Sequence, residues 1–409
     1  MIPMTETVYD YAAVGIGPAN LSLAAQAHRV SGIRGIHLER KPSFSWHPGL
    51  LLPEATLQVS PLKDLVTPVD PTSPFTFLNF LAAHDRLYRF LTADFPAVHR
   101  TEFNQYLTWV SEQLPSLEFG SEVTAVGFRD GAFRLRAAGR EIAARHLVVG
   151  TGPVPRVNEA FRPHLGGTVL HASQFLERRP DTADRDVVVV GGGQSGAEIV
   201  RHLMTAPRPP KTLTWVSRRP GFLPLDDSPF TNEFFFPAYA RRFHALPADH
   251  RMRLLDQQKY ASDGIDLPTL QEIYRRRYAA EEIEGRRDWL RFLPGCEVTE
   301  LSGSQGAWKI PLQGDDPLDS QVLDAEVVVL ASGYEHRLPP CVSGLLPAGP
   351  TPGEPRQVHD DFSVDWSGPA ANRIYVQNAA RHFWGIADPN LSLLAWRSST
   401  ILTSITENQ

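Results

Sequence analysis

The chain has 409 residues, of which 42% are hydrophobic and 21% charged, and its formal net charge at pH 7 is −6. This length exceeds what one hydrophobic core usually serves, so we expect more than one domain. The acidic balance gives no electrostatic reason to expect nucleic acid as a partner. The chain contains two cysteines, which excludes a disulfide framework and a cysteine-rich metal centre.

The sequence carries no sign of membrane insertion or export. No run of eighteen apolar residues occurs, and the first ten residues contain acids but no lysine or arginine. We therefore predict a cytoplasmic protein without a membrane span. The sequence leaves a homo-oligomer open.

Four short apolar runs predict buried parallel strands, because each is continuous and each leads into a glycine-containing turn. They are Tyr11–Val14, Leu147–Val149, Val187–Val190 and Val327–Leu330. The runs Tyr11–Val14 and Val187–Val190 each lead through a glycine turn into a predicted helix. This pattern predicts two nucleotide-binding units, with one inserted in the other. A cluster of aromatic residues and a charged helical stretch between positions 229 and 291 predict a mainly helical insertion.

The first glycine turn reads Gly-Ile-Gly-Pro-Ala-Asn over residues 15–20. Glycine is needed where the chain turns tightly and where the backbone approaches a pyrophosphate, which then faces the N-terminus of a helix. Asn20 stands where a third glycine is usual, so a plain strand–helix turn is an alternative. Glu39 ends the next apolar run, where a carboxylate can bind the ribose hydroxyls of an adenine nucleotide.

The second glycine turn reads Gly-Gly-Gly-Gln-Ser-Gly over residues 191–196 and has the full glycine pattern. The strand after it ends in Arg218 and Arg219 with no acid. A guanidinium can hold a 2′-phosphate that a carboxylate would repel, so the sequence favours NADPH over NADH. The alternative is a solvated arginine pair. Two such sites in one chain suggest a flavin that is reduced by a nicotinamide.

Several longer motifs resemble the flavin-dependent N-hydroxylating monooxygenases of siderophore biosynthesis. They cover nearly the whole chain in order and comprise residues 44–49, 57–65, 74–79, 193–195, 331–334 and 385–388. Residues 262–265 and 391–398 look like the bacterial lysine N6-hydroxylases in particular. Ser262 and Asp263 depart from the ornithine enzymes, which have an Asn-Tyr pair there.

The resemblance implies FAD on the first turn and NADPH on the second. The predicted FAD-binding residues are Gly15, Gly17, Pro18, Asn20, Glu39, Trp46, His47 and Gln58. The predicted NADPH-binding residues are Gly191, Gly193, Gln194, Ser195, Gly196, Arg218 and Arg219. The resemblance also implies an α/β fold with two Rossmann-like dinucleotide-binding domains and a smaller, mainly helical substrate-binding insertion. We place the FAD domain at 1–165, completed by 325–409, and the NADPH domain at 166–325 with the insertion at 226–290.

The same resemblance implies three catalytic residues and a substrate site. Gln58 would lie near the reactive edge of the flavin, Lys63 would hold a substrate carboxylate, and Asn232 would orient the substrate amine. Ser392 would lie near the other end of the substrate. Alternatively, Lys63 is a solvated charge or is engaged by Asp64 or the nicotinamide cofactor, and Asn232 caps a helix or turn.

In the cycle that the resemblance implies, NADPH reduces FAD, O2 forms a C4a-hydroperoxyflavin, and its distal oxygen passes to a small primary amine. No metal is needed. Lys63 favours L-lysine as the substrate, with cadaverine, putrescine and L-ornithine as alternatives. A flavin disulfide reductase would need a Cys-x-x-Cys pair, which the chain lacks. A nucleotide-sensing protein without activity would leave the context of Lys63 and Asn232 unexplained.

Overall fold

A computed structural model of the chain describes residues 7–314, 321–347 and 357–408; residues 1–6, part of the N-terminal stretch considered above, lie outside these ranges. The strands are β1 Val8–Val14, β2 Gly35–Leu38, β3 Leu117–Glu118, β4 Val123–Arg129, β5 Ala132–Ala137, β6 Arg140–Val149, β7 Val154–Pro155, β8 Val169–His171, β9 Asp186–Val190, β10 Thr212–Ser217, β11 Leu290–Pro294, β12 Cys296–Val298, β13 Ser302–Ser304, β14 Ala307–Gly314, β15 Gln321–Ala325, β16 Val327–Leu330, β17 Tyr334–Glu335, β18 Ser363–Val364 and β19 Ile374–Val376. The α-helices are α1 Pro18–Ala27, α2 Phe77–Ala83, α3 Leu87–Ala93, α4 Arg100–Ser111, α5 Phe175–Arg178, α6 Gln194–Thr205, α7 Pro237–His244, α8 Ala248–Gln257, α9 Lys259–Asp263, α10 Leu267–Tyr278, α11 Pro340–Ser343, α12 Arg381–Trp384 and α13 Leu394–Glu407.

The first sheet has eight strands. Its main path runs β18-β19-β6-β1-β2-β3, and β5 and β4 extend from β6 as an antiparallel branch. The central strands β6, β1 and β2 are parallel, and β1 is buried along most of its length. The strands β18 and β19 join the free side of β6, so the C-terminal part of the chain folds with the N-terminal part.

The second sheet is entirely parallel, with the order β11-β10-β9-β16-β8. Strand β16 pairs with β9 through Val327–Leu330, so it belongs here and not to the C-terminal part of the first domain, where the predicted boundary at 325 placed it. An apolar run predicts a buried strand but not the sheet to which the strand belongs. The pairing of β16 with β9 moves the boundary at residue 325 to a position after β16.

The segment between β10 and β11 is mainly helical, as the aromatic and charged pattern predicted. It contains a 3₁₀-helix at Thr231–Phe235, the helices α7 to α10 and a π-helix at Ala279–Ile283 that continues α10. Asp266 caps α10 by accepting a hydrogen bond of 3.0 Å from the Thr269 amide. Within the described ranges, no helix combines the length and the apolar character needed to cross a membrane.

A buried ion pair stabilises the C-terminal segment from within. Arg397, on α13, lies 3.0 Å from Asp388, and each side chain is about 1% exposed. Asp388 also accepts a hydrogen bond from the Ala380 amide at 2.8 Å. Helix α13 packs on α1, so the last helix of the chain lies behind the first glycine turn.

Candidate active site

The first glycine turn joins β1 to α1 and leaves open space in front of the helix. Gly15 has a φ of +88°, and a Cβ there would lie 2.8 Å from the carbonyl oxygen of Gly150. No atom lies within 4 Å of a Cβ built at Gly17, which directly precedes Pro18 at the start of α1. A pyrophosphate therefore fits where Gly17 faces open space at the helix N-terminus.

Glu39 follows β2 and is held against this turn. Its Oε2 accepts a hydrogen bond from the Ile16 amide at 2.8 Å, and its Oε1 accepts one from the Lys41 amide at 3.0 Å. Each carboxylate oxygen can accept a second bond. The carboxylate can therefore bind ribose hydroxyls while it supports the turn.

Asn20 supports the turn from behind. Its side chain is fully buried, and its Nδ2 donates to the carbonyl oxygens of Gly15 at 2.7 Å and Val14 at 3.2 Å. Its Oδ1 accepts a hydrogen bond of 2.7 Å from Gln377. Where a third glycine would permit close packing, this asparagine instead ties the turn to the C-terminal segment through hydrogen bonds.

The three predicted flavin-lining residues lie on the connection between β2 and α2. The Trp46 amide donates to Asn104 Oδ1 on α4 at 3.3 Å, and the Trp46 ring lies 5.3 Å from that of His47. His47 has a positive φ of 48°, and its ring lies 6.3 Å from that of Tyr334. Gln58 is exposed, and in the described part of the chain no group bonds to its side-chain amide. Its side chain is thus available to a ligand.

The second glycine turn lines a cleft of about 1430 Å³. A Cβ at Gly191 would lie 2.1 Å from the carbonyl oxygen of Ala331, and one at Gly196 would lie 2.1 Å from that of Gly191. These positions need glycine for close packing. No atom lies within 4 Å of a Cβ at Gly193, which with Ser195 faces the cleft. The pattern of packed and open glycines fits a dinucleotide pyrophosphate at the start of α6.

The side chain of Gln194 is committed to protein contacts. Its Nε2 donates to Glu198 Oε1 at 3.0 Å and also to the Asp266 carboxylate, and its Oε1 accepts from the Asp266 amide at 2.9 Å. Gln194 thus links the turn to α6 and to the start of α10. Contact with a nucleotide is left to its backbone.

The two predicted phosphate-binding arginines have different surroundings. Arg219 donates to the carbonyl oxygens of Gly192 at 3.2 Å and Asp263 at 2.8 Å, so it holds two loops together. The Arg218 side chain is 69% exposed, and its one ion-pair contact within the described ranges, Glu297, lies 3.9 Å away. Arg218 is therefore the arginine that can turn to a 2′-phosphate.

The pair that replaces Asn-Tyr of the ornithine enzymes is bound to α12. Arg381 lies 3.4 Å from Asp263 Oδ1 and donates to Ser262 Oγ at 3.2 Å. Ser262 donates to Asp263 Oδ1 at 2.8 Å. All three residues line the cleft, so this contact joins the helical insertion to the first domain there.

Lys63 and Ser392 meet although they are far apart in the sequence. Lys63 Nζ donates to Ser392 Oγ at 3.3 Å, and burial lowers the pKa of Lys63 below its ordinary value. Asp64 does not neutralise this lysine. Its carboxylate accepts hydrogen bonds of 2.6 to 2.9 Å from the amides of Val66, Thr67 and Phe77 and from the Thr67 hydroxyl. Engagement of Lys63 by Asp64 is thereby removed as an alternative.

Asn232 lies on the 3₁₀-helix Thr231–Phe235 and is exposed. Its Nδ2 donates to the carbonyl oxygen of Asp227 at 2.8 Å, which orients the amide and leaves Oδ1 as an acceptor. The neighbouring Phe230 side chain is 83% exposed. The structure thus joins Lys63 and Ser392 directly, whereas in its described part no contact links Asn232 to either.

Comparisons with known proteins define the family. Residues 7–336 match the family described as L-lysine 6-monooxygenase/L-ornithine 5-monooxygenase. The chain is 38% identical over 400 residues to L-lysine N6-monooxygenase of Escherichia coli, which covers 97% of this chain and 94% of the relative. The chain therefore belongs to the L-lysine 6-monooxygenase/L-ornithine 5-monooxygenase family.

Two solved structures are similar over nearly their whole length. The FAD-bound cadaverine monooxygenase of the desferrioxamine pathway of Erwinia amylovora is 31% identical, with a TM-score of 0.89 and coverage of 98% of this chain and 95% of that chain. The ornithine N-hydroxylase of Kutzneria sp. 744, with reduced FAD, NADP+ and L-ornithine, is 30% identical, with a TM-score of 0.90 and coverage of 98% and 99%.

The predicted fold, enzyme class and cofactors are confirmed. The chain is an N-hydroxylating flavin monooxygenase of the kind that serves siderophore biosynthesis, and its cofactors are FAD and NADPH. The open space at Gly17 and Gly193 fits these dinucleotides.

Sequence reasoning gave no role to several residues that shape the site. Arg100 bonds to Glu198, and Gln377 and Arg397 lie behind Asn20. Arg397 stands inside the motif at 391–398, and Glu198 follows the second glycine turn by two residues. Their partners were not visible, because those partners lie far away along the chain.

We expect Arg218→Ala to raise the KM for NADPH by about tenfold, because a charge-assisted contact to the 2′-phosphate is lost. The KM for NADH and kcat should change little. Steady-state oxidation of both nicotinamides measures the effect. Arg208→Ala, which removes an exposed arginine paired with Asp184 elsewhere in the second domain, is the control. Equal use of NADH and NADPH by the wild type would contradict the role of Arg218.

Proposed function

We propose that this enzyme hydroxylates the N6 amine of L-lysine, with FAD, NADPH and O2, for hydroxamate siderophore biosynthesis. The observation that carries the proposal is the half-buried ammonium of Lys63 beside the neutral Ser392 hydroxyl. In the described part of the chain, no carboxylate forms an ion pair with Lys63. A substrate carboxylate would supply the missing negative charge.

The charge at Lys63 favours an amino acid over a diamine. A partly dehydrated ammonium is stabilised by a carboxylate and by additional hydrogen bonds. The second ammonium of cadaverine or putrescine would meet a like charge at this place. The 38% identity to a lysine enzyme supports the same choice, whereas the 31% identity to a cadaverine enzyme keeps the diamine as the principal alternative outcome.

The amine end needs a hydrogen-bond acceptor and not a second charge. An alkylammonium has a pKa near 10.4, so roughly one molecule in 2,500 is neutral at pH 7. The amine must be neutral to offer its lone pair. The Oδ1 atom of Asn232 can accept a hydrogen bond from the neutral amine, because Nδ2 is already held by Asp227.

The cofactor would supply the redox chemistry, and the protein side chains would bind and orient the substrate. When bound, FAD that NADPH has reduced supplies the activation of O2 for transfer of one oxygen atom. Lys63 and Ser392 would bind the carboxylate end of the substrate, and Asn232 would orient the amine. Gln58, with a free side-chain amide, would lie at the edge of the flavin.

We expect wild-type enzyme to form hydroxylamine from L-lysine with a higher kcat/KM than from L-ornithine, cadaverine or putrescine. Lys63→Met should raise the KM for L-lysine by about tenfold or more, because the positive partner of the carboxylate is lost while the length of the side chain is kept. The KM for cadaverine should stay the same or fall, since the repulsion is removed. Hydroxylamine formation with the four amines measures both effects.

A KM that rises for L-lysine but not for cadaverine would indicate loss of the carboxylate contact. A general disruption of the active site would raise the KM for both substrates. Lys211→Met, at a lysine paired with Asp186 in the second domain, is the control. A wild type that prefers cadaverine or putrescine by about tenfold would make this enzyme a diamine hydroxylase.

We expect Asn232→Ala to uncouple the enzyme. NADPH oxidation would continue and hydrogen peroxide would replace hydroxylated amine, because flavin reduction needs no substrate contact whereas oxygen transfer needs a placed, neutral amine. Parallel assays of NADPH, peroxide and hydroxylamine measure the coupling. Asn79→Ala, which removes an exposed amide that donates to Pro74, is a matched control. Unchanged coupling in Asn232→Ala would show that this residue only stabilises its turn.

We expect hexanoate, a carboxylate without an amine, to bind more weakly as the pH rises above neutral. Burial lowers the pKa of Lys63, so the free enzyme loses the ammonium at a lower pH than an exposed lysine would. A bound carboxylate favours the protonated form, so binding takes up a proton in this range and the Kd increases with pH. Calorimetry across the alkaline range measures the dependence. In Lys63→Met the Kd should be high and independent of pH; a slope that persists there would assign it to another group.

A further inference from the structure

We infer that Arg100 and Glu198 form a positioning pair. The pair sets the orientation of the second glycine turn, residues 191–196, relative to residues 46–58, which carry the predicted flavin-lining side chains. Arg100 is the first residue of α4 in the first domain, and Glu198 lies on α6 in the second. Arg100 Nη2 lies 2.7 Å from Glu198 Oε1 and Nη1 lies 3.0 Å from Oε2. The side chains are 13% and 1% exposed, so this bidentate contact is shielded from water.

On the NADPH side, the pair acts on the start of α6. Glu198 Oε1 also accepts the hydrogen bond from Gln194, the residue that follows Gly193 in the second turn. Gln194 is tied in turn to Asp266 at the start of α10. A shift of Glu198 would therefore move Gln194, the first residue of α6, together with the start of α10 in the helical insertion.

On the flavin side, Arg100 holds the segment that carries the predicted flavin-lining residues. Its Nη1 donates to the carbonyl oxygen of Leu50 at 3.2 Å and its Nη2 lies 3.5 Å from that of Thr56. One turn further along α4, Asn104 accepts the hydrogen bond from the Trp46 amide. Helix α4 thus holds this segment at Trp46, Leu50 and Thr56, on both sides of His47.

A bidentate guanidinium–carboxylate pair restricts direction as well as distance, because two parallel hydrogen bonds fix the plane of both groups. Other contacts also cross between the two domains: Arg201 donates to the carbonyl oxygen of Glu54 at 2.6 Å, His202 lies 3.4 Å from the Glu54 carboxylate, and Arg381 contacts Ser262 and Asp263. Of these contacts, the Arg100–Glu198 pair is the one in which a guanidinium meets both oxygens of one carboxylate. It therefore restricts the orientation most directly, through Gln194 on one side and residues 50–56 on the other.

The experiment measures reduction of the flavin separately from binding of the flavin. The inference rests on the use of FAD and NADPH and does not depend on which amine is the substrate. In Arg100→Gln and Glu198→Gln, the limiting rate of FAD reduction at saturating NADPH, followed without oxygen, should fall by about tenfold or more, because small misplacements of reacting groups are costly. The KM for NADPH, the Kd for FAD and reduction by dithionite should change less than about twofold. Arg100→Lys, which keeps the charge without the fork, should be intermediate.

A second readout does not depend on turnover. Small-angle X-ray scattering of the FAD-loaded variants should show a larger radius of gyration than the wild type, since the two domains are less firmly oriented. Arg373→Gln removes an arginine paired with Asp361 within the first domain and should resemble the wild type in every measurement.

Two results would overturn the positioning role. One is a limiting reduction rate in both glutamine variants no lower than in Arg373→Gln. The other is a loss of FAD affinity in proportion to the loss of rate, which would make the pair a support of the fold only. If Arg100→Gln does not fold, Glu198→Gln and Arg100→Lys decide between these results. A wild type whose flavin NADPH does not reduce would contradict the assigned cofactors instead.

Discussion

The buried ion pair between Arg397 and Asp388 is the contact on which the rest of the site depends. A charge buried this deeply costs several kcal/mol unless it is paired and hydrogen-bonded, so the start of α13 and the turn before it that carries Asp388 are stable only together. Burial lowers the pKa of the Arg397 guanidinium, and Asp388 opposes that shift. Arg397 Nε donates to Gln377, which donates to Asn20 behind the first glycine turn. The last helix and the flavin turn thereby form one unit.

The same segment carries Ser392, one of the residues that we propose for substrate binding. Ser392 lies four residues after Asp388, on a 3₁₀-helix at Leu391–Leu393. Asn390 precedes this helix, and its side chain accepts a hydrogen bond of 2.8 Å from the Ser392 amide. That short 3₁₀-helix presents the Ser392 hydroxyl to Lys63. The end of the site that we assign to the carboxylate is thus made by two distant parts of the chain, and the network behind Asn20 connects it physically to the turn for FAD. Asn232, which we propose for the amine end, lies on the helical insertion, so the proposed site would join separate parts of the fold.

Polar side chains near the two glycine turns and the proposed substrate site divide into supporting and available groups. Gln194, Arg219 and Asn20 donate to protein groups, whereas in the described part of the chain Arg218, Gln58 and Asn232 keep a free donor or acceptor. Supporting groups hold the loops rigidly, which keeps the available groups oriented before any ligand arrives. Residue type alone does not show whether a side chain is supporting or available, because this depends on its hydrogen-bond partners.

The sequence by itself determined the two glycine turns, the buried parallel strands and the helical insertion, because glycine spacing and apolar runs are local and are set by backbone sterics and burial. The family followed from the resemblance of longer motifs. The sequence also indicated Lys63 and Ser392, through motifs. Only the tertiary structure decided that these two side chains touch, that Asp64 is turned to backbone amides, that β16 joins the second sheet, and that Arg218 and Arg219 differ. Each of these depends on contacts between residues far apart in the chain, and such contacts are determined when the sheets and helices pack and not by local preference.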